Sequence, residues 1–159
     1  MSIPKSFFLL LSFLSLNFIS KAGTISDSVV KVISARFEQQ QYKLEKVITP
    51  EISKDGVEIP RGDLLPCYSG KTVLIIALFD EKPEELFGRM LVSKKYNGKV
   101  EYDKHLFQDA GQDYETEIYY SMLNVLFPEE SNNLNCNATV QVCDKKHNAK
   151  DIRLLIFTK

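Results

Sequence analysis

The stretch Thr72–Phe79 (TVLIIALF) is a continuous apolar run, bounded by Gly70-Lys71 on one side and Asp80 on the other. It is eight residues long and rich in branched side chains, which favours a β-strand over a helix. The run lacks the polar-apolar alternation of a strand with one wet face. The segment therefore predicts a strand that is buried on both faces.

Short strand candidates separated by turn signals lie on both sides of this run. Thr116–Phe127 fits both strand alternation and helical spacing, and its aromatic residues favour the strand. Asn97-Gly98 is the strongest short hairpin signal because both turn positions need a positive φ. The other candidates are Val29–Phe37, Leu44–Ile48, Val57–Ile59, Met90–Ser93, Lys99–Tyr102, Ala138–Cys143 and Ile152–Thr158. Together they predict an all-β fold, an antiparallel sandwich of about seven to nine strands.

The N-terminus carries the pattern of a signal peptide over residues 1–22. Lys5 supplies the positive start, Phe7–Ile19 is mostly apolar, and Ser20-Lys21-Ala22 offers small residues for cleavage. As a helix the apolar core would span about 20 Å, less than the ~30 Å of a bilayer core, so an uncleaved anchor is the weaker alternative. The protein is expected to be secreted and extracellular. Asn137-Ala138-Thr139 is then a usable N-glycosylation site.

Composition limits the classes of function. The chain has 159 residues, of which 44% are apolar and 26% charged, as in an ordinary globular protein. Its 20 basic and 21 acidic residues give a formal charge of −1, which argues against a nucleic-acid partner.

Three cysteines, Cys67, Cys136 and Cys143, remain after the leader, and an oxidising compartment favours at least one disulfide. Alternation along Ala138–Cys143 places Cys143 with the polar residues, as a free thiol or an intermolecular bridge in a homodimer. This leaves Cys67 to pair with Cys136, while the other two pairings stay open. A zinc site is not expected, since there is no C-x-x-C spacing and His147 lacks further ligands nearby.

One segment has a familiar order of residues. It is Arg61-Gly62-Asp63-Leu64-Leu65-Pro66-Cys67, followed by Gly70 and a strand that ends in Leu78-Phe79-Asp80. This order resembles the opening of the nematode transthyretin-like family. That family's next signature looks like Tyr96–Val100, and its strand leading to a second cysteine resembles Leu123–Val125 with Cys136. The chain departs from the family at Pro66 and in the longer Pro128–Cys136 segment.

The resemblance implies a transthyretin-like, immunoglobulin-like sandwich over residues 57–159, preceded by an N-terminal extension over residues 23–56 with one or two strands. It also implies a secreted binding protein that is not an enzyme and needs no cofactor. The expected partner is an extracellular protein or a lipid surface. Two alternatives are a carrier that holds a small apolar ligand or lipid between the sheets, and a secreted hydrolase on the same scaffold.

Sequence motifs for catalysis are missing. His105 and His147 are the two histidines, and neither lies in a nucleophile or metalloprotease motif. Arg61-Gly62-Asp63 is an adhesion tripeptide, but Gly62 is better explained by a bulge or a close backbone approach. Tyr119 and Tyr120 should point to opposite faces of a strand, which predicts one exposed ring for protein contact.

Overall fold

A computed structural model describes residues 25–53, 56–58, 65–96, 99–127, 129, 135–144 and 149–159. These residues form one helix and eleven strands. The helix is α1 (Asp27–Gln39). The strands are β1 (Lys43–Ile48), β2 (Glu51–Ser53), β3 (Gly56–Glu58), β4 (Leu65–Pro66), β5 (Thr72–Phe79), β6 (Leu86–Tyr96), β7 (Lys99–Leu106), β8 (Gly111–Gln112), β9 (Tyr119–Leu126), β10 (Asn135–Asp144) and β11 (Ile152–Thr158).

The strands form two sheets whose paired neighbours run antiparallel. Sheet A has the order β1-β11-β5-β9-β8, and sheet B has the order β2-β3-β10-β6-β7, with β4 also paired to β10. The predicted all-β antiparallel sandwich is therefore confirmed. The number of strands exceeds the expected seven to nine because four of them are only two or three residues long.

Strand β5 is buried on both faces, as its unbroken apolar run predicts. Val73, Ile75, Ala77 and Phe79 join the core between the two sheets. The alternate residues of β5, Leu74, Ile76 and Leu78, join a second core on the other side of sheet A. Each strand position thus faces an apolar layer, which explains why no polar residue interrupts the run.

The second core is covered by α1, and the strand predicted over Val29–Phe37 is wrong. Ser26 caps the helix by accepting a hydrogen bond from the backbone amide of Val29, and Asp27 and Arg36 place favourable charges in the first and last turns. Apolar residues recur at helical spacing and pack on sheet A; they are Val29, Val30, Ile33 and Phe37. The helical penalty of a β-branched residue is below about 0.7 kcal/mol, so an apolar face outweighs it.

Other sequence predictions agree with the strands. Thr116–Phe127 contains strand β9, and Leu44–Ile48 lies within β1. Strands β6 and β7 pair up to Tyr96 and Lys99, on either side of the expected Asn97-Gly98 turn, which lies outside the described residues. Residues 1–24, Arg61-Gly62-Asp63 and His147 also lie outside them. Within the described part, no helix has the length and apolar character needed to cross a membrane.

Candidate functional site

The outward face of sheet B carries an aromatic ring between two cations. Along β6 the even-numbered residues Met90 and Val92 are buried in the sandwich, so Phe87 and Arg89 project to the other side. Phe87 is 38% exposed. The Arg89 guanidinium carbon lies 5.7 Å from the ring centroid, and Lys104 Nζ of β7 lies 5.6 Å from it. Both distances lie within the range of a cation–π contact.

Two leucines complete this surface, which we call the Phe87 patch: Phe87, Arg89, Leu91, Lys104 and Leu106. Leu91 is opposite Lys104 and Leu106 is opposite Arg89 in the antiparallel register, so paired residues share the face. Leu106 is 57% exposed. Arg89 Nε donates a 2.9 Å hydrogen bond to Gln141 Oε1 of β10, which orients the guanidinium.

Within the described part of the chain, the two cations of the patch, Arg89 and Lys104, make no ion pair. Sequence reasoning missed this patch, although the alternation of Phe87, Arg89 and Leu91 with Gly88 and Met90 is visible in the sequence.

The strand register brings Cys67 and Cys136 close together and places Cys143 far from both. Leu65 and Pro66 of β4 pair with Ala138 and Asn137 of β10, and one further step places position 67 opposite position 136. Cys67 is half-buried against the inter-sheet core. Cys143 is opposite Phe87, seven residues along β10 from Cys136, which is about 23 Å at about 3.3 Å per residue.

Asn137 is exposed on β10, next to the buried Ala138, and therefore lies on the outward face of sheet B. Ser93 of β6 is opposite it, and the Ser93 hydroxyl donates a 3.3 Å hydrogen bond to the Asn137 carbonyl. Asn137 is thus exposed to solvent in this position. Its glycosylation stays a prediction.

His105 and the adjacent tyrosines Tyr119 and Tyr120, which are candidates from the sequence, lie on β7 and β9. His105 is half-buried on β7 opposite Met90, and within the described ranges no three His, Cys, Asp or Glu residues form a group that could hold a metal. The expectation of one exposed ring at Tyr119-Tyr120 is wrong. Tyr119 packs against the inter-sheet core and Tyr120 against the core under α1, because sheet A is covered on both faces.

A pocket of about 200 Å³ lies between α1 and sheet A. Ile33, Phe37, Ile76, Leu78 and Met122 form its apolar surface, and Arg36, Gln40, Asp113 and Tyr120 supply the polar groups. The pocket is outside the sandwich, whereas the carrier hypothesis placed a ligand between the two sheets.

Arg36 links α1 to the segment that follows β8, at the mouth of the pocket. Its Nη1 donates a 2.6 Å hydrogen bond to Asp113 Oδ1, and its Nη2 pairs with the Glu115 carboxylate. The hydrogen bond from Arg36 holds the pKa of Asp113 below its ordinary value, assisted by bonds from Thr116. The same two acids raise the pKa of Arg36, with Asp113 the larger cause.

Comparison with known proteins gives no relative for this chain. No protein-family model, no curated protein and no solved structure matches it. The resemblance to the nematode transthyretin-like family therefore stays a prediction, and function has to be inferred from the geometry of the molecule.

Proposed function

We propose that this protein is a secreted extracellular binding protein, not an enzyme, and that it docks an acidic protein surface on the Phe87 patch. One observation carries the proposal: a half-exposed aromatic ring lies within 6 Å of two cations that have no acidic partner among the described residues. Such a surface combines the two side-chain types that are enriched at the centres of protein interfaces, aromatic residues and arginine.

Charge determines the kind of partner. Arg89 and Lys104 give the patch a local positive charge, although the whole chain is slightly acidic. A second copy of the chain would bring like charges together across the patch, which disfavours self-association there. A partner with carboxylates around an apolar centre would pair with both cations while it covers Phe87 and Leu106.

The position of the patch on a paired strand favours a protein over a lipid surface. Phe87 and Leu91 lie on β6, which has β7 paired on one side and β10 on the other. Insertion into a bilayer needs apolar side chains that project beyond the charged groups, as on the apolar face of an interfacial helix. Binding to anionic vesicles is therefore the competing outcome of the test.

Secretion, glycosylation and the disulfide complete the proposal. The leader-like residues 1–22 support export, and the exposure of Asn137 supports glycan attachment. The register supports a Cys67–Cys136 bridge. Asn137 lies six residues along β10 from the position opposite Phe87, about 20 Å away, so a glycan would be attached at the far end of the face.

The test uses the full secreted chain and a glutamate-rich peptide that contains aromatic residues, with its lysine-rich counterpart as the opposite-charge probe. We expect saturable binding of the acidic peptide alone, measured by biolayer interferometry. Phe87→Ala should weaken it by about tenfold or more, the usual effect of truncating an interface anchor. Leu126→Ala is the matched control, because Leu126 is 71% exposed on the other sheet.

The charge requirement is tested by neutralising the two cations together. Arg89→Gln with Lys104→Gln should abolish binding of the acidic peptide. Lys31→Gln with Lys82→Gln changes the net charge equally at exposed positions outside the patch and should leave binding unchanged. Equal losses in the two double variants, or tighter binding to phosphatidylserine vesicles than to the peptide, would refute docking of a protein on the Phe87 patch.

A further inference from the structure

We propose that the pocket between α1 and sheet A is a binding site for a small aromatic amine. The site is independent of the Phe87 patch, since it lies against the outward face of the other sheet. The size of the pocket, its apolar surface and the charge at its mouth each contribute to the assignment.

The volume selects the size of the ligand. A pocket of about 200 Å³ is somewhat larger than the dry protein cavity of about 150 Å³ that accommodates benzene. A ligand with one ring or two fused rings would fill the pocket, whereas a long acyl chain or a steroid would be too large for it. Ligands of this size are held mainly by apolar contact with a few polar groups that fix their orientation.

The surface of the pocket suits a ring. Ile76 and Leu78 of β5 form the floor, Met122 of β9 lies beside them, and Ile33 and Phe37 of α1 form the wall. Phe37 already makes a tilted ring contact with Phe157, with centroids 5.4 Å apart, which holds its ring in place. Methionine is unbranched and adapts to irregular ligands, and its sulfur makes favourable contacts with aromatic rings.

The charged cluster beside the pocket holds one cation and two carboxylates. Arg36 and Asp113 line the pocket, and Glu115 pairs with Arg36 next to it. Both oxygens of Asp113 are already engaged, because one accepts from Arg36 and the other accepts from the backbone amide and the hydroxyl of Thr116. Glu115 is 70% exposed and is the carboxylate that can receive a ligand ammonium group. An anionic ligand would have to take Arg36 away from both acids, which are its present partners.

Tryptamine, indole and indole-3-acetate share one ring system and carry positive, zero and negative charge, so they separate the effect of charge from that of shape. Isothermal titration of the full chain should show saturable binding of tryptamine, about two- to fivefold weaker binding of indole, and still weaker binding of indole-3-acetate, because an exposed charge pair changes affinity by less than about tenfold. Equal affinity for the three compounds would overturn the assignment to an amine.

Two tryptophan variants test the location of the site, and a third variant tests the charge. Met122→Trp fills the pocket and should reduce tryptamine affinity by tenfold or more, whereas Leu126→Trp adds the same bulk at an exposed position of the same strand and should have no effect. Glu115→Gln removes the charge of a side chain that is 70% exposed. It should weaken tryptamine binding about two- to fivefold and leave indole binding unchanged. Absence of saturable tryptamine binding, or equal affinities in the two tryptophan variants, would refute the site.

Discussion

Gly88 of β6 lies directly beneath the ring of Phe107. A Cβ at this glycine would come within 2.9 Å of three Phe107 carbons, including Phe107 Cβ, which is closer than van der Waals contact allows. The backbone cannot move away freely, because the Phe107 amide donates a 2.9 Å hydrogen bond to the Gly88 carbonyl. Phe107 in turn packs against the inter-sheet core. Because Gly88 has no side chain, Phe107 in the segment after β7 can pack against the inter-sheet core.

We expect Gly88→Ala to lower the free energy of unfolding by about 1–3 kcal/mol, the usual cost of inserting a methyl group into a packed site. Urea denaturation measures this difference. The same substitution in a Phe107→Ala background is the control, because removal of the ring removes the clash; its cost there should be much smaller. Equal costs in the two backgrounds would contradict the contact.

At the scale of elements, the comparison between β5 and α1 shows what sequence patterns can predict. The unbroken run of β5 predicts a strand because no polar face is left for a helix of a small protein to expose. Val29–Phe37 has β-branched residues too, but its apolar positions follow helical spacing and Ser26 precedes it as an N-cap. Spacing and capping are local signals that are present in the sequence, and they are more reliable here than β-branching.

The docking of α1 is predicted to depend on pH through Asp113. Its pKa lies below the ordinary 3.8 in the folded protein, chiefly because Arg36 donates to it. A carboxylate with a lowered folded pKa stabilises the fold above its unfolded pKa, and this contribution is lost as the pH falls through the folded pKa. Asp113→Asn should therefore destabilise the protein at pH 7, and its difference from the parent protein should shrink as the pH falls below the ordinary pKa of 3.8 and vanish below the lowered folded pKa.

Thermal unfolding at pH 7, 5 and 3 measures this difference. Asp109→Asn, at an exposed position in the segment before β8, is the matched control and should behave like the parent protein at each pH. A difference between Asp113→Asn and the parent that is the same at pH 7 and pH 3 would show that the carboxylate charge is not what holds the helix.

On the scale of the whole molecule, the sandwich could be predicted from the sequence. The helix that covers sheet A could not. Local patterns show which segments are strands, but the helix that covers sheet A depends on contacts between α1, β5 and β11, which are distant in sequence. That cover explains why Tyr120 is half-buried and why the pocket exists. The described residues place no helix on sheet B, so the Phe87 patch stays exposed.

A disulfide between Cys67 and Cys136 is predicted to stabilise the whole molecule. A Cys67–Cys136 bridge would join β10 of sheet B to the segment that leads into β5 of sheet A, and it closes a loop of about 70 residues. In the chain-entropy treatment, this closure stabilises the fold by about 4 kcal/mol. Replacing both cysteines by serine should therefore lower the free energy of unfolding by about that amount, while Cys143→Ser should leave it unchanged.

Peptide mapping of the unreduced protein identifies the bridge directly. Elastase can cut after Ala138 or Val140 and so separates Cys136 from Cys143. We expect Cys67 to be linked to the peptide that contains Cys136. Linkage to Cys143 would require β10 to slip by about seven residues against β4, since the Cα atoms of a disulfide lie within about 7 Å of each other. Such a slip would also separate Met90 from Val140, so a Cys67–Cys143 peptide would contradict the register of sheet B as well as the bridge.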